Sequence, residues 1–238
     1  MTHLGSGLIL ECCVKTKRVD ILGVETLEVT GDDSSIGVVF LHGYGANMHD
    51  LFPLWEMWHR EKLNWYFPNG LHSLPMGPYE GRAWFSINVV EMERAIREGR
   101  TRDLRQSHPP ELDDSLKVME AYIGALSQRH KKIILGGFSQ GAMLSSHLAM
   151  RASLSLDGLI LLSGGLLSED SFPKSVSRPS PFYQSHGTQD PILSLQGAKD
   201  LEEKLSSLNF QGKLHIFQGG HEIPLSVINQ VKQFLEGV

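Results

Sequence analysis

The sequence predicts an α/β fold with a mostly parallel central sheet and helices on both faces. Two observations support this fold class. Apolar runs such as residues 36–41 and 133–135 are typical of strands that are buried on both faces. These runs alternate with longer segments whose apolar residues recur at helical spacing. Strands that alternate with helices form parallel sheets that are covered on both sides.

Composition limits the classes of protein to which the chain can belong. With 238 residues, of which 41% are hydrophobic and 21% are charged, it can bury a large core. We find no repeat or linker that divides it, so residues 1–238 are expected to form one domain. The net charge of −5 gives no electrostatic case for binding nucleic acid or anionic membranes.

Cysteine usage and hydropathy bear on the location of the protein. The two cysteines, Cys12 and Cys13, are adjacent, and neighbours in a strand point to opposite faces, so a mutual disulfide is not expected. A chain without a disulfide framework suits a reducing compartment. The first residues show no signal-peptide pattern, and no run of about 18 apolar residues occurs. We therefore expect a cytoplasmic protein without stable membrane insertion.

The first half of the chain is predicted to begin with an antiparallel strand pair at one edge of the sheet. The two strands are residues 8–14 and 24–29, and the basic residues 15–18 form the turn between them. The next predicted elements are a strand at 36–41, a helix at 50–60, a strand at 65–67 and a helix at 89–99. Residues 71–85 lack periodicity and contain two prolines and two glycines, so a long loop is expected there.

The second half continues the alternation of strand and helix. Its predicted elements are a helix at 110–129, the strand at 133–135 with a helix after it, a strand at 158–163, a surface loop at 168–181, a strand at 182–186, a helix at 193–208, a strand at 214–217 and a helix that ends near 235. Loops at the carboxyl ends of parallel strands converge at one edge of the sheet, where such folds bind ligands.

A serine-containing turn follows the strand at 133–135. Residues 137–141 are G-F-S-Q-G, which fits the pattern G-x-S-x-G, and helical periodicity resumes after them. A serine at the tip of so tight a turn has a strained backbone, and side chains at the flanking positions would collide, which explains the two glycines. Ser139 is therefore a candidate nucleophile.

The backbone around Ser139 is a candidate oxyanion hole. The Gln140 N–H lies at the positive end of the following helix, where it can stabilise the negative charge that develops during acyl transfer. A second donor is expected from the loop after the third strand, where residues 42–45 are H-G-Y-G, and we assign it to the Tyr44 N–H. The alternative is that these residues form only a glycine-rich turn.

An acid and a base follow the serine in the chain. Asp190 and His221 each come just after a predicted strand. His221 can take the proton of Ser139 and return it to the leaving group, while Asp190 holds the imidazole in the productive tautomer. Taken alone, Asp190-Pro191 is a common turn, and His221 is one of 11 histidines. The order Ser, Asp, His at three strand ends predicts a catalytic triad.

Other features leave alternatives open or exclude a class of site. Trp84 either forms a wall of the substrate cleft or anchors its own loop. Phe52, Trp55 and Trp58 share a predicted helix and belong either to the core, which we favour, or to an interface, so the oligomeric state is not predicted. No metal or cofactor is expected, because the sequence has no H-E-x-x-H, C-x-x-C, phosphate-loop or dinucleotide pattern.

The motifs together resemble the carboxylesterase, lysophospholipase and acyl-protein thioesterase family of the α/β-hydrolases. They are L-H-G-Y-G at 41–45, R-x-W-F at 82–85, G-G-F-S-Q-G-A at 136–142, L-S-G at 162–164, H-G-x-x-D-P at 186–191 and G-H-x-I at 220–223. The resemblance implies a lidless, cofactor-free serine esterase for small ester or acyl substrates, with Ser139, Asp190 and His221 as its triad. It also implies that Leu166, Leu167 and Trp84 lie near the acyl or alcohol site.

Two positions depart from the pattern of that family. Ala46-Asn47 stands where many members have Asp after the glycine, as in the bacterial carboxylesterase branch, and Ser86 stands where many have Asp. Both departures favour short or medium acyl esters over lipidated proteins. The leading hypothesis is therefore a serine carboxylesterase. The alternatives are an acyl-protein thioesterase or lysophospholipase and, from another class, a non-catalytic binding protein on the same scaffold.

Overall fold

The computed structural model describes residues 15–31, 35–58, 63–76 and 79–238, and its centre is an eight-stranded sheet. The strands of the described residues are β1 (Lys15–Ile21), β2 (Val24–Thr30), β3 (Ile36–Leu41), β4 (Leu63–Pro68), β5 (His72–Met76), β6 (Tyr79–Ala83), β7 (Lys132–Phe138), β8 (Gly158–Leu162), β9 (Pro181–Gly187) and β10 (Gln211–Phe217). The sheet has the order β1-β2-β4-β3-β7-β8-β9-β10, while β5 and β6 form a separate hairpin. Only the pairs β1/β2 and β2/β4 are antiparallel within the sheet. The predicted, mostly parallel sheet is confirmed.

Helices cover both faces of this sheet. They are α1 (Pro53–Trp58), α2 (Val89–Arg97), α3 (Leu112–Ser127), α4 (Gln140–Leu148), α5 (Leu195–Ser207) and α6 (Leu225–Gly237). On one face α3, α4 and α5 bury residues such as Leu116, Leu144 and Leu201 in one core. On the other face α1 and α6 bury Trp58 and Val231 in a second core.

The central strands are buried on both faces, as their apolar runs indicate. In β3, Val39 and Leu41 belong to the first core, whereas Val38 and Phe40 belong to the second. Successive side chains of a strand point to opposite faces, so a continuous apolar run supplies both cores at once. Packing on both faces therefore holds β3 in the centre of the sheet, and the loop that begins at residue 42 follows its carboxyl end.

The aromatic residues of α1 belong mainly to the core. Trp58 is fully buried, lies 5.3 Å from the Phe40 ring by centroid, and donates a 3.0 Å hydrogen bond from Nε1 to the Ile228 carbonyl. Phe52 and Trp55 are partly buried and pack against the same core. Trp58 is therefore a core residue, as we favoured, whereas Phe52 and Trp55 lie at the edge of that core.

Two expectations about local structure were wrong. Residues 15–18, expected as a turn, lie in β1, because an edge strand tolerates charged side chains and pairs Lys17 with Glu28 at 3.5 Å. Residues 71–85, expected as a loop, contain the hairpin of β5 and β6, whose ribbon accommodates Pro75 opposite Glu80. The strand expected at 8–14 and both cysteines lie outside the described residues.

The turn between β7 and α4 lies against the end of β3. A side chain at Gly141 would overlap the Leu41 carbonyl oxygen, and one at Gly137 would overlap the backbone of Gly141 itself. Backbone atoms cannot move aside as flexible side chains can, so these positions require glycine. The contact brings the carboxyl ends of β3 and β7 together at the point where the predicted site lies.

We predict that Gly141→Ala lowers the free energy of unfolding by about 3 kcal/mol or more, because the added methyl overlaps fixed backbone. The matched control is Gly124→Ala in α3, where an added Cβ meets no atom within 4 Å. That variant should gain about 0.5–1 kcal/mol, since alanine is the better helix former. Urea unfolding of both variants gives the measurement, and equal effects at the two sites would contradict this account of the turn.

Candidate active site

Ser139 sits at the tip of the β7–α4 turn in a strained conformation. Its backbone has φ 55° and ψ −114°, a region that L-residues rarely occupy. The strain is held on both sides, since the Ser139 N–H donates to the Leu162 carbonyl at 2.8 Å and its own carbonyl accepts from Met143 at 3.1 Å. The side chain makes no capping hydrogen bond to α4, so its hydroxyl is available to a ligand.

Asp190 and His221 meet in the structure although they follow different strands. The His221 Nδ1 lies 2.6 Å from Oδ2 of Asp190, whose side chain is fully buried. An ionised carboxylate only accepts hydrogen bonds, so Nδ1 carries the proton and Nε2 is left with its lone pair. Two backbone bonds join the loops that carry these residues, from Gln189 N–H to the Gly219 carbonyl and from Thr188 N–H to the Phe217 carbonyl, each at 2.9 Å.

The ionisation of Asp190 is secured by its hydrogen bonds. Burial alone would raise the pKa of this carboxyl group. The bond from His221 and those from the N–H groups of Leu193 and Ile192 to Oδ1, at 3.0 and 2.8 Å, outweigh burial and lower the pKa below its usual value. Asp190 is therefore negatively charged at neutral pH and can stabilise an imidazolium at His221.

The His221 ring lies beside the serine turn. It packs on Phe138, the residue before Ser139, with ring centroids 4.8 Å apart. His221, Phe138 and Ser139 all line one cavity of about 680 Å³. Ser139 and His221 are thus brought to one cavity, and Asp190, which does not line it, is joined to His221 by the 2.6 Å hydrogen bond.

The two N–H groups predicted as an oxyanion hole border the same cavity. Tyr44 and Gln140 both line it, and neither of their N–H groups donates a hydrogen bond within the described part of the chain. Gln140 begins α4, so its N–H has no partner inside the helix. A Cβ at Gly43 would lie only 3.4 Å from the Cβ of Ser139, which shows how closely the 42–45 turn approaches the serine.

Buried His42 supports the turn that carries Tyr44. Its Nδ1–H donates to the Gly43 carbonyl at 2.7 Å, and its Nε2 accepts from the Gly70 N–H at 2.9 Å. Both ring nitrogens are therefore satisfied only when the imidazole is neutral. Burial lowers the pKa of His42 to about 4, so this neutral form persists at physiological pH.

Trp84 anchors its own loop and does not line the cavity. The indole is fully buried, and its Nε1–H donates to the His42 carbonyl at 2.9 Å. The Gln140 side chain holds the same loop, since its Oε1 accepts from the Trp84 N–H at 2.9 Å and its Nε2 donates to the Phe85 carbonyl at 2.7 Å. The cleft wall expected at Trp84 is formed by Phe85 and Ser86, one and two residues later.

The two leucines expected near the substrate lie differently. Leu167 lines the main cavity together with Met143, Ile192 and Leu193. Leu166 is buried, donates its N–H to the Gly197 carbonyl at 2.9 Å, and borders a smaller cavity of about 190 Å³. Adjacent residues point in different directions, so only Leu167 faces the ligand space.

Sequence reasoning missed two features of this site. The supporting role of His42 depends on Gly70, which is 28 residues away, and no local pattern signals that bond. Arg102 also lines the cavity, although it belongs to the charged run at residues 97–105, whose composition is typical of a solvated surface. An isolated parallel β-bridge joins Arg102 to Leu193, which is far away in the sequence, and no local sequence pattern predicts such a bridge.

Two general properties of the described residues bear on function. None of their helices combines the length and the hydropathy that are needed to cross a bilayer. No group of three or more His, Cys, Asp or Glu side chains among them is arranged to hold a metal ion.

Acid is predicted to destabilise the fold through His42. Its pKa of about 4 lies below the ordinary value of 6.5, so the unfolded chain binds more protons between these pH values, and stability falls as pH drops through them. At pH 5 this residue alone should cost about 2 kcal/mol relative to pH 7. We expect the loss measured by urea unfolding to be smaller in His42→Gln, which has no titratable group there.

His147 provides an independent check. Its Nε2–H donates to the Leu167 carbonyl at 2.9 Å, and burial lowers its pKa to about 4 as well. His147→Gln should therefore flatten the same pH dependence even if His42→Gln fails to fold. If the free energy of unfolding fell equally with decreasing pH in the wild type and in both variants, the assignment of neutral, buried imidazoles would be contradicted.

Comparisons with known proteins show the family to which the chain belongs. The phospholipase/carboxylesterase family matches residues 24–238. Acyl-protein thioesterase 1 of Schizosaccharomyces pombe is 32% identical over 194 residues, which cover 75% of this chain and 82% of that protein. Acyl-protein thioesterase 1 of Neurospora crassa is 25% identical over 218 residues, which cover 83% and 84% of the two chains.

Solved structures show the same fold at lower identity. Esterase PE8 superimposes with a TM-score of 0.74 at 23% identity, covering 94% of this chain and 99% of its own. The Bacillus cereus carboxylesterase gives a TM-score of 0.67 at 20% identity, covering 90% and 94%. The chain therefore has the α/β-hydrolase fold, belongs to the phospholipase/carboxylesterase family, and is a serine hydrolase of ester or thioester bonds.

Proposed function

We propose that the chain is a carboxylesterase that hydrolyses short to medium acyl esters through an acyl-enzyme on Ser139. One observation carries the proposal. The buried Asp190 makes a 2.6 Å hydrogen bond to His221, which lines the same cavity as Ser139, Tyr44 and Gln140. A histidine base held by a carboxylate, beside a turn that carries a serine, is the set of groups that nucleophilic acyl transfer needs.

In the first half-reaction the Ser139 hydroxyl attacks the ester carbonyl carbon. His221 accepts the hydroxyl proton at Nε2 and becomes a cation that Asp190 stabilises through Nδ1–H. The carbonyl oxygen gains negative charge, which the Tyr44 and Gln140 N–H groups would stabilise, each worth about 10²–10³ in rate. The tetrahedral intermediate then collapses, the C–O bond breaks, and His221 gives its proton to the departing alcohol.

The second half-reaction repeats these steps with water. His221, neutral again, removes a proton from a water molecule, and the resulting hydroxide attacks the acyl-serine carbonyl. The same two N–H groups hold the second oxyanion. Collapse breaks the bond to the Ser139 oxygen, which recovers its proton from His221, and the carboxylic acid leaves. No cofactor or metal takes part in the scheme.

The cavity has room and apolar surface for an acyl group. Its volume of about 680 Å³ suits a ligand of moderate size, and apolar residues such as Met143, Leu167 and Ile192 line it. Ala46 adds a small apolar side chain at the edge where many relatives carry a carboxylate. Ser86 is occupied, since its hydroxyl and N–H donate to Oε2 of Glu111 at 2.7 and 3.1 Å.

Thioester hydrolysis is the second candidate function. Relatives that match most of the chain include acyl-protein thioesterases 1 from several fungi. The same site would act on a thioester, because a thiol is a better leaving group than an alcohol and needs less protonation by His221.

We also propose that the protein is cytoplasmic, because the cysteine usage suits a reducing compartment.

Ser139→Ala is expected to lower kcat/KM for 4-nitrophenyl butanoate by about 10⁴-fold or more, because the acyl-enzyme cannot form. The matched control is Ser145→Ala in the following helix, whose buried hydroxyl has no hydrogen-bond partner among the described residues. That variant should keep its activity. Equal activity of Ser139→Ala and Ser145→Ala would contradict the proposal.

The acyl preference is tested with 4-nitrophenyl esters from acetate to palmitate and with a palmitoyl-cysteine peptide. We expect kcat/KM to be highest at short to medium chain lengths, as the residues at Ala46 and Ser86 indicate. Rates that rise steadily to palmitate, or that are higher on the thioester peptide than on any ester, would favour the thioesterase instead.

A further inference from the structure

Arg102 lies on the wall of the active-site cavity next to the segment that holds the acid of the triad. Its backbone forms an isolated parallel bridge with Leu193. The Leu193 N–H in turn donates to Oδ1 of Asp190 at 3.0 Å. Arg102 borders the main cavity and also the adjacent one of about 190 Å³. Its position is therefore fixed relative to Asp190 and His221.

The guanidinium of Arg102 has no partner in the described part of the chain. The residue is half-buried, and its Nε is fully shielded without a hydrogen-bond acceptor. Burial lowers the pKa of Arg102, yet a guanidinium stays protonated at any physiological pH. Other arginines of the same segment are paired, since Arg100 lies 3.0 Å from Glu91 and Arg105 lies 2.7 Å from Asp103.

Among the residues that the structure describes, no group in the main cavity neutralises this cation. Of the described charged residues, Glu91 acts on the pKa of Arg102, and its carboxylate is already bonded to Arg100. Burial raises the pKa of Asp50, with no basic residue offsetting that effect, so Arg102 is not its partner. His108 is engaged with Ser168 at 2.7 Å and with Asp113 at 3.2 Å.

A half-buried, unpaired cation costs free energy unless a ligand compensates it. Arginine is the side chain best suited to bind a planar or tetrahedral oxyanion, because its donors form a fork that matches two oxygens. Leu104, Ile192 and Leu193 line the same cavity and offer apolar surface to the rest of such a ligand. The cavity is therefore lined both by the candidate nucleophile and by an unpaired cation.

We propose that Arg102 binds an anionic group, a carboxylate or a phosphate, that the ester substrate carries away from its scissile bond. The inference rests on the proposed function of the same cavity and narrows its substrate class to acidic esters. The anion can come from the acyl part, as in a half-ester of a dicarboxylic acid, or from the alcohol part, as in an acylglycerol phosphate. Neutral esters would be slower substrates of the same triad.

Two substrate pairs test the proposal. On the acyl side, 4-nitrophenyl hydrogen glutarate is compared with its neutral methyl ester. On the alcohol side, 1-butanoylglycerol 3-phosphate is compared with 1-butanoylglycerol. In at least one pair, Arg102→Gln should lower kcat/KM for the anionic member by about 10- to 100-fold, as expected for a charge-assisted hydrogen bond, and leave the neutral member within about 3-fold. The affected pair identifies the side that carries the anion.

The matched control is Arg105→Gln, a paired surface arginine three residues away, which should change neither member of either pair. Arg102→Lys should recover part of the loss, because it restores the charge without the fork. The melting temperature of each variant shows that it folds. Calorimetry then gives the Kd of the anionic esters for Ser139→Ala and for the double variant Ser139→Ala/Arg102→Gln. Neither protein hydrolyses the ester, so this comparison measures recognition alone.

The outcomes separate the two proposals. In one outcome, Ser139→Ala loses all activity, but Arg102→Gln leaves the ratio of kcat/KM for anionic and neutral esters unchanged. That outcome would overturn the role of Arg102 and leave the esterase proposal intact. Binding of an anionic ester that depends on Arg102, without turnover that depends on Ser139, would support the anion site and overturn the proposed mechanism.

Discussion

The close approach of three backbones at the serine turn is the constraint on which the rest of the site depends. Gly141 packs against the Leu41 carbonyl at the end of β3, and Ser139 donates its N–H to Leu162 at the end of β8. The unfavourable backbone angles of Ser139 are tolerated because these buried strands fix both ends of the turn. A looser turn would let the serine relax and withdraw its hydroxyl from the cavity.

Buried hydrogen bonds hold the 42–45 turn, which carries Tyr44, against the serine turn. Neutral His42 links the turn that carries Tyr44 to Gly70, and Trp84 and Gln140 join that turn to α4. Buried polar groups are costly when they lose a partner, so these bonds hold the two N–H groups of the proposed oxyanion hole in place. The positions of Tyr44 and Gln140 relative to Ser139 therefore depend on groups that never touch a substrate.

Much of this could be predicted from the sequence, for a physical reason. Strands buried on both faces are typically short apolar runs rich in β-branched residues, and a parallel sheet brings the residues after those strands to one edge. Ser139, Asp190 and His221 could therefore be expected to lie close together. The hairpin of β5 and β6 could not be foreseen, because its prolines and glycines are equally typical of a loop. The anchoring role of Trp84 and the isolation of Arg102 depend on which distant groups surround each side chain, and no local pattern records that.

The central claim is that Ser139 becomes covalently acylated, and trapping that state tests it most directly. The protein is treated with a fluorophosphonate, which reacts with activated serines, and the modified peptide is located by mass spectrometry. We expect one adduct per chain, on Ser139, formed rapidly in the wild type and slowly in His221→Ala because the base that activates the hydroxyl is gone. An adduct on another serine, or equal rates in the two proteins, would contradict the account.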